Sequence, residues 1–140
     1  MIEPMKLPEP FESMLARAPQ ELRVGVVGAS NDARKFGSII FRAVRARGSL
    51  GVPITPSASA VDEVPTVASV TEAATQIDFA NFVIPPARTL EALRALPAES
   101  ALPVWFQPGS YDDEVLAECK RRGLPTLVGP CILVELAARG

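Results

Sequence analysis

"VGVVGASNDARKFGSII" (residues 24–40) begins as an apolar run, breaks at Gly28 and resumes with apolar residues at helical spacing. A short valine-rich run suits a strand covered on both faces. The spacing that follows suits a helix. Between them lies "GASND", where Gly28 permits a sharp turn and Ser30, Asn31 and Asp32 are helix-capping types. Free amides and the helix dipole at such a start favour an anion, with Arg34 and Lys35 adding positive charge. The same residues also read as a plain strand–helix turn closed by a cap. The spacing of Gly25, Gly28 and Gly37 is not that of the GxGxxG fingerprint.

Outward from this unit the rhythm repeats. Strands are expected at 22–28, 51–55, 79–84, 103–106 and 125–129. Helices are expected at 67–76, 87–96 and 112–123, with a last one from Pro130 through "CILVELAA". The crossover helix after the first strand turns Phe36, Ile39, Ile40, Ala43 and Val44 inward and leaves Ser38, Arg42 and Arg45 outside, and Gly48 ends it. "DDEVLAECKRRG" (112–123) has acids in its first turn, bases in its last and glycine after them, as the helix dipole and C-terminal capping prefer. Alternation of this kind implies an α/β, three-layer Rossmann-like fold: an approximately five-stranded parallel sheet with helices on both faces. Residues 22–140 form that domain. Residues 1–21 are expected to form a helical extension packed on it, with Phe11, Met14, Leu15 and Ala18 at helical spacing and Pro19 as the stop.

Composition excludes several classes of function. The chain has 140 residues, a net charge of -2 and no histidine. Catalysis by Ser-His-Asp or Cys-His, histidine metal sites and phosphohistidine transfer are therefore ruled out. Net charge gives no basic footprint for nucleic acid. No apolar run reaches the ~20 residues that span a bilayer, and the start lacks the pattern of a signal peptide, so a cytoplasmic protein is expected. Cys119 and Cys131 form no metal-ligand pattern, and no metal is expected. Asp112 and Asp113 read as helix-start residues, and no activated nucleophile is paired with a base. The second strand ends "PITPSAS", without the acid that NAD-binding folds place there for the ribose.

Five segments in order, "VGVVGASNDARKFGSIIFRAV", "VPITPSA", "FVIPPA", "VWFQPGSYDDEV" and "GPCILVEL", resemble the small stand-alone CoA-binding proteins. Those proteins are in turn similar to the nucleotide-binding N-terminal domain of the succinyl-CoA synthetase alpha subunit. The likeness runs from about Leu22 to Leu136. It implies a coenzyme A or acyl-CoA site at the carboxyl ends of the strands. Gly28, Ala29 and Ser30, with Lys35, Phe36 and Gly37, would hold the phosphates. Thr55 and Pro56 would line the adenosine, Ile84, Pro85 and Pro86 the opposite wall, and Gln107 to Gly109 the pantetheine end.

The chain departs from the family at Thr55, where asparagine is common, and at "VDEVPTVASV", which replaces a glycine-containing loop and a "YPSL"-like segment. Each residue also has a structural reading. Pro85 and Pro86 stop a strand, "QPG" is a turn, Thr55 bonds its own backbone and Trp105 is core. Arg88 reads equally as a solvated helix charge or a phosphate contact. Cys119 is core. Cys131 is read as a small buried residue, the alternative being a mixed disulfide with the CoA thiol. The synthetases require a phosphorylated histidine, so a non-catalytic binder is expected. The alternatives are a binder of another adenine nucleotide such as NAD, or a detached ligase subunit whose partner supplies catalysis. A homodimer or an unidentified protein partner is left open.

Overall fold

Five parallel strands form the central sheet in the computed structural model, which describes residues 6–139. The first five residues of the expected extension, and Gly140, lie outside the described residues. The sheet strands are β1 (Arg23–Val27), β2 (Leu50–Ile54), β5 (Phe79–Phe82), β6 (Val104–Phe106) and β7 (Thr126–Val128). Their order is β2-β1-β5-β6-β7. The chain thus leaves β1 toward one edge and returns past it to β5, which makes a topological switch point between those two strands.

Side chains alternate across this sheet with period two. Val24, Val26, Phe79 and Trp105 enter one core cluster, and Val27, Ala80, Phe82, Val104 and Phe106 enter the other. Helices α2 (Phe36–Ala46) and α6 (Ile132–Ala138) cover the first cluster, joined by the short α1 (Phe11–Leu15), and a 3₁₀ turn at Pro19–Glu21, none of whose residues is buried, leads from α1 into β1. Helices α3 (Val70–Ala73), α4 (Pro86–Ala95) and α5 (Asp113–Arg122) cover the second.

Three sequence expectations need correction. Phe36 and Ile39 of α2 are 41% and 42% exposed, whereas Ser38 is buried. The helix is rotated so that Gly37, Ser38, Phe41 and Val44 face inward with Ile40, which brings glycine rather than phenylalanine against the first-strand loop. The expected helix at 67–76 shrinks to four residues, with Ser69 capping the Glu72 amide at 3.2 Å. Val67 instead bridges Ile54 at the sheet edge, where its amide donates to the Pro53 carbonyl and its carbonyl accepts from Thr55. The β-branched residues there complete an edge instead of winding. Finally, residues 60–65 form an unexpected hairpin of β3 (Ala60–Val61) and β4 (Val64–Pro65). Its turn residues Asp62 and Glu63 have φ of 47° and 67°, the left-handed pair that a type I′ turn requires.

Helix α5 is the most strongly signalled element. Asp112 accepts from the Val115 amide at 2.9 Å, and Gly123 closes the helix at φ 67°. Glu118 accepts from Arg121 and Arg122, both at 2.7 Å. Arg122 also donates to the carbonyls of Leu96 and Arg94, tying α5 to the end of α4. Hydrogen bonds from Arg121, then Arg122, hold the Glu118 carboxyl down to about 2 from an ordinary value of 4.5. A carboxyl depressed on folding stabilises the fold above its unfolded pKa, and that contribution is lost as pH falls through the folded value. Glu118→Gln should therefore flatten the decline in stability between pH 4.5 and about 2. Urea unfolding of both proteins at pH 3 and pH 6 reads this directly; parallel losses in the two would refute it.

Candidate functional site

The switch point opens into a cleft of about 860 Å³ at the carboxyl ends of β1, β2 and β5. Its floor is the β1–α2 loop. Gly28 takes φ of +103° and donates to the Ile54 carbonyl at 3.0 Å, so the loop starts anchored on β2. A Cβ on Gly37 would overlap the Gly28 carbonyl oxygen. Absence of a side chain there is what lets the first turn of α2 lie against the loop backbone.

The loop's polar side chains are turned on the loop itself, not on the helix start. Ser30 Oγ accepts from the Asp32 amide, and Asp32 Oδ1 from the Arg34 amide, each at 3.0 Å. Asn31 reaches out to the hairpin, donating to the Ala60 carbonyl at 2.8 Å and accepting from the Asp62 amide at 3.0 Å. Arg42 in turn grips the Asp62 carboxylate at 3.0 Å. The residues suited to capping thus fix the loop and the hairpin. Lys35, the N-cap residue of α2, makes no side-chain cap. Among the described residues, the amides of Ser30, Asn31, Phe36 and Gly37 donate to no protein acceptor. An uncapped eleven-residue helix with spare amides at its start offers an anion both donors and the positive end of the dipole.

Local charge agrees with this. Asp32 is the one carboxylate in the loop, and Arg34 engages both its oxygens at 3.0 Å. That contact, with the Arg34 amide, holds the Asp32 carboxyl below its ordinary range. Its negative charge is therefore matched locally, and Lys35 stands beside the cleft.

Of the residues that the family resemblance assigns to the coenzyme, all line the cleft except Pro86 and the segment Gln107 to Gly109; Arg34, expected to add charge there, also lies outside the lining. Pro86 begins α4, where its fixed φ suits the first helical position. Gln107 is fully buried: its Oε1 accepts from Asn81 Nδ2 at 3.2 Å and from the Ile132 amide at 3.1 Å. It fastens the start of α6 to the sheet. Gly109 lies on an exposed turn at φ +87°. Thr55 is buried and its hydroxyl pairs with Ser57 Oγ at 2.9 Å. Trp105 is core, donating through Nε1 to the Pro130 carbonyl at 2.9 Å. Cys131 lies half-buried outside the cleft lining, with its Sγ accepting from Gln107 Nε2 at 3.4 Å. Cys119 is buried, and burial raises its thiol pKa.

Sequence reading missed Ala58, Ser69, Thr71, Glu91, Ala92 and Ala95, which also line the cleft, and took Asn31 only as a capping type. The α4 members were detectable in principle: Arg88, Glu91, Ala92 and Ala95 follow i, i+3, i+4, i+7 and form one helix face. The others depend on the hairpin and the shortened α3, which no periodicity announced.

Comparison with known proteins agrees with the architecture. The chain superposes on a conserved hypothetical protein of Pyrococcus furiosus with a TM-score of 0.76 and 29% identity, covering 81% of this chain and 98% of that one. A hypothetical protein of Pyrococcus horikoshii OT3 gives a TM-score of 0.77 at 22% identity, covering 96% and 94%. The Thermus thermophilus protein "cell-free ID.343" gives 0.73 at 24%, covering 93% and 96%; these last two likenesses are of fold alone. No curated protein sequence matches the chain. The family model described as "CoA binding domain" matches residues 23–137, from the first strand of the sheet into its last helix. By that match, which spans the sheet and the cleft at its switch point, the chain belongs to the CoA-binding domain family.

Proposed function

We propose that the protein binds coenzyme A or an acyl-CoA without catalysing a reaction on it, as a carrier, sensor or regulatory module. The spare amides at the start of α2 carry this reading. The diphosphate would rest on Gly28–Ser30 and Lys35–Gly37. The adenosine would lie between Thr55–Pro56 and the wall made by Ile84 and Pro85. The titratable groups lining the cleft are Asp32, already held by Arg34, with Lys35, Arg88 and Glu91. None of them is hydrogen-bonded to a hydroxyl nucleophile among the described residues, which favours binding over covalent catalysis. A dinucleotide is disfavoured because the end of β2 presents the Thr55–Ser57 pair where a ribose-binding carboxylate would be needed.

Phe36 offers a direct test. It is the first residue of α2, and Lys35 before it is extended at φ -83° and ψ 145°. Proline is compatible with that first helical position and with an extended preceding residue. Phe36→Pro therefore deletes one spare amide while keeping the helix, and Phe36→Ala controls for the lost ring. Coenzyme A titration should show about tenfold weaker binding for the proline variant than for the alanine variant, the effect of one hydrogen bond to a charged group. Equal affinities with intact circular dichroism would remove the helix start from the site. Mass spectrometry of small molecules released on denaturing the purified protein tests the ligand class independently.

A further inference from the structure

We infer that Arg88 reads a second phosphate group of the ligand, set apart from the diphosphate: the ribose 3′-phosphate that distinguishes coenzyme A from its dephospho form. The inference rests on the coenzyme A reading above. Two cationic side chains line the cleft, Lys35 at the N-cap of α2 and Arg88 on the first turn of α4. They come from opposite layers of the fold, because α2 packs with Val24 and Val26 on one face of the sheet and α4 with Val27 and Phe82 on the other. Among the described residues neither side chain makes an ion pair or hydrogen bond, whereas nearby Arg34 and Arg42 are committed to Asp32 and Asp62.

A nucleotide with a single run of phosphates needs one cationic pole. A ligand with a diphosphate and a separate phosphate monoester needs two, and this cleft has one on each wall. The guanidinium fork suits a monoester dianion better than a point charge does. Glu91, one turn further along α4, also lines the cleft. Its carboxylate repels phosphate and accepts from hydroxyl or amino groups, so the phosphate belongs beside Arg88 at the beginning of α4.

Calorimetric titration of the full chain with coenzyme A and with 3′-dephospho-coenzyme A tests this. Wild type should bind coenzyme A about tenfold more tightly than the dephospho form. Arg88→Gln should erase that difference by weakening coenzyme A alone, and Arg88→Lys should restore part of it. Lys35→Gln should weaken both ligands alike. Arg88 is exposed and unpaired, so these variants should keep the native circular dichroism spectrum. An equal loss for both ligands in Arg88→Gln, or no loss, overturns the assignment and leaves the coenzyme A reading standing. Binding of neither ligand by wild type overturns both.

Discussion

Gly37→Ala should abolish coenzyme A binding and weaken the fold by about 3 kcal/mol, the upper part of the range for overpacking a tight contact. The added methyl meets the Gly28 carbonyl oxygen, with Gly28 C at 2.8 Å and Ala29 Cα at 3.3 Å behind it. These are backbone atoms, so no side chain can swing aside. Either α2 withdraws from the sheet, exposing Ile40 and Phe41, or the loop lifts and carries the spare amides with it. Both routes destroy the alignment of donors, and hydrogen bonds weaken steeply once misaligned. Affinity should fall at least about a hundredfold, corresponding to roughly two charge-assisted hydrogen bonds. Gly109→Ala is the contrasting control. Its φ of +87° makes alanine strained, but the added atom meets nothing within 4 Å and the residue lies outside the cleft lining. It should cost about 1 kcal/mol and leave coenzyme A affinity intact. Urea unfolding and titration of both variants separate strain from the contact; native affinity in Gly37→Ala would mean that the loop and helix start do not hold the ligand.

What the sequence made legible depended on whether a local pattern had to compete with tertiary packing. Helix α5 was readable because its cap, charges and terminal glycine all act within the helix itself. The sheet strands were readable because burial on both faces leaves unbroken apolar runs such as "VGVV" and "VWF". The facing of α2 was not. Ile39 and Ile40 fit a stripe from Phe36 equally well by spacing, and the choice was made by the Gly28–Gly37 apposition, which only a glycine permits. The hairpin escaped because "DE" lacks the glycine or asparagine of a usual type I′ turn; Asp62 is held there by Asn31 and Arg42, which are distant in sequence. The phosphate-loop side chains show the same limit. Ser30, Asn31 and Asp32 were recognisable as capping types, but composition could not reveal that they fasten the loop and leave the helix start open.

Phe11→Ala should cost about 4 kcal/mol, the usual loss for removing a buried phenylalanine, without changing coenzyme A affinity in the folded protein. Helix α1 has five residues, far too few to persist alone in water, so its order comes from packing. Phe11 is 1% exposed and meets Phe79 at 6.0 Å and Trp105 at 5.9 Å, both edge to face. Leu7, Met14 and Leu15 join the same cluster. From there the contact passes to the other end of the chain: Trp105 Nε1 holds the Pro130 carbonyl before α6, and Arg139 pairs with Glu12 at 2.7 Å. Truncating Phe11 therefore opens a cavity beside the only tryptophan and loosens the contact between the two ends. A domain of this size has roughly 5–15 kcal/mol in total, so the variant should remain folded only in mild conditions. Urea midpoints followed by Trp105 emission measure the loss. A cost below about 1 kcal/mol would match a surface substitution and mark residues 6–21 as a dispensable extension. The full cost would make them part of the core that covers the sheet opposite α4, remote from the cleft that α4 lines.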